Sequence, residues 1–397
     1  MLDQCPTETW GTTRIQRFAV AYEYPVVFTR DVFDPANPVL AEILRSREPA
    51  KRHRVAVFVD DGVSAVMPRL ARSVERYAAA HAASMAIAGD IVPVPGGERI
   101  KNDPDATAAL IDVLRARAID RHSYVLAIGG GAVLDAVGYA AAIFHRGVRH
   151  VRLPTTVLAQ ADSGVGVKNA VNAYGTKNLV GTFAPPFAVI NDGVFIDRLP
   201  ARDKRGGMAE AVKVALIRDG DFFQWLERHV KALGAFDPNG LDILIQRTAA
   251  LHMRQIAQGG DPFETGSARP LDYGHWSAHK LETLTQYGLT HGEAVAIGVA
   301  LDARYSTLAG LLPAGDDVRV CRLLRGLGFA LWHEALQARD GDGRLAILNG
   351  LRDFQEHLGG ELTITLLAGI GRGVEVHEID HALVEQAVAW LGREWRS

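Results

Sequence analysis

Between Val55 and Pro154 the chain alternates two kinds of segment, and this alternation restricts its fold more than any other feature. Four short runs, Val55–Asp60 (VAVFVD), Ile91–Pro95 (IVPVP), Tyr124–Gly129 (YVLAIG) and His150–Pro154 (HVRLP), read as strands of five or six residues. The stretches between them, 64–90, 103–120 and 132–146, carry apolar residues at helical spacing, with Asp103 and Pro104 at a helix start. Strands of this kind separated by helices predict an α/β domain whose parallel sheet is covered on both faces. Ala188–Ile190 adds a further strand.

Near Leu199–Pro200 the texture changes. Long amphipathic patterns follow at 206–233, 241–258, 272–287, 291–312 and 318–327, punctuated by Gly/Pro/Asp clusters at Phe236–Gly240, Gly259–Ala268 and Pro313–Asp317. Only Glu361–Leu367 (ELTITLL) reads as a late strand. At 397 residues the chain is too long for one ordinary core. Two domains are expected: a parallel-sheet domain over 1–198 and a mostly α-helical domain over 199–397. The first 45 residues and the last 25 carry no functional signal.

Charge and cysteine usage narrow the function classes. A formal net charge of −3 and a pI near 6.5 give no attraction to nucleic acid or to an anionic membrane. Two cysteines, Cys5 and Cys321, make neither a disulfide framework nor a thiolate metal site, which suits a reducing compartment. Apolar stretches such as Ala136–Phe144 fall short of the ~20 residues a membrane span needs, and the N-terminus lacks a signal-peptide pattern. The expectation is a soluble cytoplasmic protein.

The first chemical signal is Gly129-Gly130-Gly131, followed by Ala-Val-Leu-Asp135, where a strand ends and a helix begins. Absent side chains let backbone N–H groups approach a phosphate, and the helix N-terminus adds positive potential. It is not the dinucleotide fingerprint, because Leu134 stands where the last glycine is needed, and no Gly-Lys-Ser/Thr follows as in a Walker loop. Pro95-Gly-Gly-Glu98 with Lys101 adds a carboxylate for ribose hydroxyls and an ammonium for a phosphate, and Asp60 ends the first strand on the usual ligand edge.

The second signal is histidine. His275 and His279 stand at i, i+4 on one helix face; His291 opens the next helix in Thr-His-Gly-Glu293; Glu210 lies in Met208-Ala-Glu-Ala-Val-Lys213. Two imidazoles and a carboxylate with an open position make a catalytic zinc shell, and spacing leaves open which three of these four side chains form it. The third signal is the polar, glycine-punctuated, loop-like stretch Leu153-Pro-Thr155-Thr156, Asp162-Ser-Gly-Val-Gly-Val-Lys168 and Lys177-Asn178, with Lys213 one turn after Glu210. Each lysine alone reads as a solvated charge; together they suit a phosphorylated, polyhydroxylated substrate. The loop Asp261–Pro270 (DPFETGSARP) is long enough to be functional.

GGGAVLD, HRGVRHVRLPTT, AQADSGVGVK, GTKN, MAEAVK, DYGHWSAH and THGEAVAIG occur in this order, and over about residues 50–372 the chain resembles the 3-dehydroquinate synthase superfamily, the sugar phosphate cyclases. The segment RPLDYGHWSAHKLE looks most like the branch found in Ebo gene clusters. The resemblance implies a Rossmann-like N-terminal domain, a helical C-terminal domain, NAD and zinc (with cobalt as a substitute) between them, and a homodimer. Carried over, it makes Glu210, His275 and His291 the metal ligands and His279 a phosphate contact. Asp162, Lys168, Asn178 and Lys213 become substrate contacts, with Asp162 and Lys168 beside the nicotinamide. Asp60, Glu98, Lys101, Gly130, Gly131, Asp135, Thr155, Thr156 and Lys177 become NAD contacts, and Arg146 reaches into the partner's site.

The departures bear on substrate. Where dehydroquinate synthases carry an arginine for the substrate carboxylate, this chain has Ala268, with Arg269 next to it. A nearby lysine becomes Arg254, the asparagine before the Gly-His becomes Asp272, and the late Asp-Lys-Lys becomes Asp353-Phe354-Gln355, while Gly359 keeps the register. Losing an arginine–carboxylate fork removes a strong bidentate contact, and Asp272 repels an anion. A neutral-headed seven-carbon ketose phosphate such as sedoheptulose 7-phosphate is therefore expected, converted by transient oxidation, phosphate elimination, re-reduction and aldol closure to a carbocycle. The competing readings are a genuine 3-dehydroquinate synthase, a metal-dependent NAD polyol or alcohol dehydrogenase, and a catalytically silent ligand-binding homologue.

Overall fold

The computed structural model describes residue 13 and residues 15–264, 271–357 and 361–396. Nine described strands lie in the first 192 residues: β1 (Val26–Thr29), β2 (His53–Asp60), β3 (Met85–Ile87), β4 (Val92–Val94), β5 (Tyr124–Gly129), β6 (Arg149–Pro154), β7 (Lys168–Ala173), β8 (Thr176–Phe183) and β9 (Ala188–Asp192). Seven build one parallel sheet in the order β1-β9-β6-β5-β2-β3, with β4 pairing the second half of β2 beyond β3. β7 and β8 form a separate antiparallel hairpin.

Successive side chains of a strand point to opposite faces, and here both faces are apolar. Val55, Val57 and Val59 enter one core with Leu126, Ile128, Val151 and Leu153. Ala56 and Phe58 enter the other with Val125, Ala127 and Leu134. Burial on both sides is what a β-branched run without alternation predicts. Each fully buried side chain contributes roughly 1.5–3 kcal/mol, and Phe58→Ala should cost about 3–5 kcal/mol. The sheet's carboxyl edge gathers Asp60, Gly129, Pro154 and Asp192, the ends of β2, β5, β6 and β9.

From Ala201 onward the chain is mostly helical: Ala201–Arg218, Gly220–Gly234, Pro238–Gln258, His275–Leu284, His291–Leu308 and Asp316–Gly326 share one core containing Met208, Val212, Leu216, Leu244, Trp276, Leu281, Val295 and Val299. Helix Ala201–Arg218 is buried from Gly207 to Ile217 and is the axis of this half. Val157, just past β6, packs in the same core and joins it to the sheet edge.

Four expectations are corrected. The stretch 64–90 is two helices, Asp61–Val66 and Leu70–Ala80, followed by β3; Pro68 disfavours helix at Met67, which leaves the α region at φ −121°, ψ 67°. The pattern over 206–233 breaks at Asp219, whose side chain accepts from Phe222 N–H at 2.8 Å and starts a new helix. The loop-like stretch 161–178 is ordered: one turn of π-helix at Ala159–Ser163, then the β7–β8 hairpin. Late in the chain there are two strands, β10 (Ile364–Gly369) and β11 (Arg372–Val376), paired antiparallel. The first 45 residues also contribute β1, and the last 25 contribute helix His381–Glu394.

Candidate active site

Three helices meet where histidines and a carboxylate were expected. Helix Ala201–Arg218 carries Glu210 and Lys213; helix His275–Leu284 begins at His275 and carries His279; helix His291–Leu308 begins at His291. Two glycines let the helices close up. Gly274 sits at φ +77°, where a Cβ would come within 2.8 Å of Val299 N, so only glycine starts the His275 helix against the His291 helix. A Cβ at Gly292 would strike the backbone of Gly206, so the His291 helix enters directly against the helix of Glu210. Buried Asp302 fastens the first crossing, accepting from Gly274 N–H at 3.1 Å and Trp276 Nε1–H at 3.0 Å.

Glu210 is fully buried, and its Oε1 lies 3.6 Å from His275 Nε2 and 3.4 Å from His291 Nε2. Among the described residues Oε1 has no hydrogen-bond partner, while Oε2 faces Lys213 Nζ at 2.5 Å. Donors bound to one zinc at ~2.0–2.2 Å in tetrahedral array stand about 3.3–3.6 Å apart, so these separations fit a shared metal. The other ring nitrogens are already engaged: His275 Nδ1 faces Tyr273 O at 3.2 Å and His291 Nδ1 faces Glu282 Oε2 at 3.4 Å. Both Nε2 atoms thereby face Glu210, the arrangement two histidines would take around a shared ion. Burial would raise the Glu210 carboxyl, but Lys213, His275 and His291 hold it well below the carboxylate range. Burial would lower His291, yet Glu210 and Glu282 raise it to about 9.

His279 stands apart from that triad, with ring centroids 5.2 Å from His275 and 5.9 Å from His291. One side of its ring is open to solvent; crowding on the others, with His275 and His291, pushes its pKa down to about 3. Asp272 faces the same space. Burial would raise its carboxyl, but His275, Lys168, Lys213 and His279 hold it below the usual range. Lys213, nearly fully buried, is stabilised as a cation by Glu210, Asp162 and Asp272 despite desolvation. Asp162 Oδ1 lies 3.1 Å from His252 Nδ1, and Lys168 Nζ pairs with Glu264 at 2.6 Å. Asp162 and Lys168 are placed by Arg152, whose buried guanidinium donates to the carbonyls of Gly164, Gly166 and Lys168 and to Asn169 Oδ1 at 2.7–3.1 Å.

On the sheet edge, Gly130 precedes the helix Gly131–Ile143, and a Cβ at Gly131 would come within 2.6 Å of Ser163 Oγ. Among the described residues Thr155 Oγ1 and Ser163 Oγ are buried without partners, and Thr156 Oγ1 accepts from Ala159 N–H at 3.0 Å to start the π turn. Open backbone and orphaned hydroxyls fit a phosphate-bearing cofactor. Asp60 caps the following helix through Gly62 N–H at 2.8 Å, and burial raises its carboxyl. Buried Lys101 pairs with Asp135 at 2.7 Å and with Asn178 Oδ1, while Asn178 adopts φ +56°. Lys177 lies 3.4 Å from Glu98 and 3.0 Å from Glu282, and Asn172 Nδ2 donates to Glu98 at 2.8 Å.

Arg254 is exposed on helix Pro238–Gln258, and Arg146 is exposed at φ +61° on the turn after helix Gly131–Ile143. Among the described residues no hydrogen bond or ion pair joins either to the cluster. Ala268, Arg269 and Gly359 lie outside the described residues. Sequence reasoning missed Glu282, His252, Ser163 and Arg152. Glu282 had a signal: it follows His275 by seven residues and His279 by three, on one helix face. His252 and Arg152 had none, because only the fold brings them to the site.

Comparison with known proteins agrees with this architecture. Residues 91–206 match the 3-dehydroquinate synthase N-terminal model and residues 207–345 the C-terminal model. The chain is 34% identical over 383 residues to a 2-epi-5-epi-valiolone synthase of Streptomyces glaucescens, covering 94% of this chain and 93% of that protein. It is 37% identical over 307 residues to a 3-dehydroquinate synthase of Xylella fastidiosa, covering 76% and 80%. ValA, a 2-epi-5-epi-valiolone synthase from Streptomyces hygroscopicus subsp. jinggangensis solved with NAD+ and Zn2+ bound, superposes with a TM-score of 0.83 at 28% identity, covering 96% of this chain and 99% of that one. The chain belongs to the 3-dehydroquinate synthase family, with its Rossmann-like parallel sheet and helical second half. No described helix is long and apolar enough to cross a membrane.

Proposed function

We propose that this protein is an NAD- and zinc-dependent sugar phosphate cyclase that converts a neutral-headed seven-carbon ketose phosphate, sedoheptulose 7-phosphate being the first choice, to a carbocycle with loss of phosphate. The observation that carries the substrate reading is Asp272, an ionised carboxylate among Lys168, Lys213, His275 and His279. It accepts hydrogen bonds from sugar hydroxyls and repels a substrate carboxylate. In this reading residues 1–198 hold the nucleotide and residues 199–397 the metal, as two domains, and Arg146 serves the neighbouring subunit of a homodimer.

Glu210, His275 and His291 would hold zinc, and Asp60, Glu98, Lys101, Gly130, Gly131, Asp135, Thr155, Thr156 and Lys177 would hold NAD. When bound, the two supply Lewis acidity and reversible hydride exchange. The chain's own residues do the rest. Lys168, Lys213, Asn178 and His279 bind the phosphate, Lys213 and Lys168 by charge and His279 as a neutral hydrogen-bonding ring. Asp162, beside His252, and Asp272 accept substrate hydroxyl protons in hydrogen bonds and fix which carbon faces the triad. Arg152 keeps the Asp162–Lys168 segment in that register.

The test is incubation of metal-loaded protein and NAD with sedoheptulose 7-phosphate, following inorganic phosphate beside absorbance at the NADH band. Phosphate release without NADH accumulation is expected. NADH without phosphate would instead identify a polyol dehydrogenase and overturn the reading.

A further inference from the structure

Glu282 is a residue that neither the phosphate pocket nor the metal triad uses directly. It is buried at 3% exposure on helix His275–Leu284, and its two carboxylate oxygens are divided between two partners. Oε2 lies 3.4 Å from His291 Nδ1, and Oε1 lies 3.0 Å from Lys177 Nζ. His291 turns its other nitrogen toward Glu210, and Lys177 continues to Glu98 at 3.4 Å. One side chain therefore links the proposed metal triad on the helical half to the hairpin strand β8 and, through Lys177, to Glu98 at the start of the helix Glu98–Asn102 on the sheet half.

The two histidines of the triad are held differently. His275 Nδ1 faces a main-chain carbonyl, Tyr273 O, which no side-chain substitution removes. Among the described residues, His291 Nδ1 has only the Glu282 carboxylate. A carboxylate there fixes the ring's orientation and keeps the proton on Nδ1, so that Nε2 presents its lone pair. The same carboxylate neutralises Lys177, half-buried, and fixes where its ammonium stands.

We propose that Glu282 is the positioning residue that orients His291 for the metal and Lys177 for the nucleotide at once, coupling the two halves of the site through one carboxylate. This rests on the reading of Glu210, His275 and His291 as metal ligands and of Lys177 as an NAD contact. A glutamine in its place still accepts at one oxygen but presents an N–H₂ donor to the other partner, so it serves one side at the expense of the other. An aspartate keeps the charge but is too short by one methylene to span both.

The experiment compares metal-free wild type, Glu282→Gln and Glu282→Asp as full chains. Cobalt(II) is titrated against a competing chelator while its visible ligand-field bands are recorded, and NAD binding is measured by calorimetry. Far-UV circular dichroism confirms that each variant folds. Glu282→Gln should weaken cobalt binding about 10–100-fold with displaced bands and weaken NAD binding as well, while Glu282→Asp should fall between it and wild type on both. If Glu282→Gln does not fold, Glu282→Asp alone must show both losses. Wild type that binds cobalt and NAD, with folded variants that match it in both affinities and in the bands, would overturn the inference and leave the site reading standing. Wild type that takes up neither would overturn the site reading and this inference with it.

Discussion

On the sheet side of the site, the charged groups have found one another: Lys101 holds Asp135 and Asn178, and Lys177 sits between Glu98 and Glu282. On the helical side, Glu210 Oε1 stands 3.4 and 3.6 Å from two imidazole nitrogens and hydrogen-bonds to none. If NAD binds there as proposed, the first arrangement must exchange partners, so part of the new contact energy would replace pairs already made. The second has a gap of the size of one ion, with the outer nitrogens of both rings already anchored. In the proposed reading, one half is a closed network that a cofactor would open, and the other is an open cage that a metal would close.

The largest effect should come from the cage. His275→Ala removes a ligand; zinc content by elemental analysis should fall from about one per chain to near zero, and phosphate release should drop by about 10³-fold, the loss of several kcal/mol of Lewis-acid stabilisation. NAD binding should survive. Next is Lys101→Met, which strips the cation from Asp135. Charged hydrogen bonds of this kind are worth about 1.5–3 kcal/mol, so NAD should bind about 10–100-fold more weakly by calorimetry, with zinc content unchanged. Loss of zinc in Lys101→Met would break the contrast between the halves.

The smallest effect lies in the scaffold beneath the cage. Desolvation raises Asp302 to about 7, against the hydrogen bonds from Trp276 and Gly274 that lower it. A carboxyl whose folded pKa is raised contributes stability that is full below its ordinary value of 3.8 and is lost as the pH rises through about 7. Asp302→Asn weakens the acceptors of Gly274 and Trp276, costing about 1–3 kcal/mol. Wild type should therefore exceed Asp302→Asn in urea denaturation by more at pH 5 than at pH 8. A gap that grows with pH would contradict the placement of this carboxyl.

Much of this was legible in the chain. β2 and β5 are apolar runs rich in Val and Ile and buried on both faces, a pattern that survives translation into sequence because it needs no partner to be read. Spacing leaves four possible triads among Glu210, His275, His279 and His291; the family resemblance picks Glu210, His275 and His291, whose donor atoms the structure brings together. The β7–β8 hairpin reads as a loop in the sequence because glycines and polar residues dominate it; the structure pairs its strands antiparallel and ties Asn172 to Glu98 and Asn102. Arg152 looked like a strand residue; its role depends on three carbonyls 12 to 16 residues away. Long-range partners of this kind leave no periodicity in the sequence.

The substrate claim turns on Asp272. The decisive measurement is kcat/KM for phosphate release from sedoheptulose 7-phosphate and from the carboxylated precursor of 3-dehydroquinate, in wild type and in Asp272→Asn. A like charge facing the substrate carboxylate costs several kcal/mol, so wild type should prefer the neutral-headed sugar by about 10²-fold or more, and Asp272→Asn should narrow that preference. Faster release from the carboxylated precursor by wild type would contradict the account and make the protein a 3-dehydroquinate synthase.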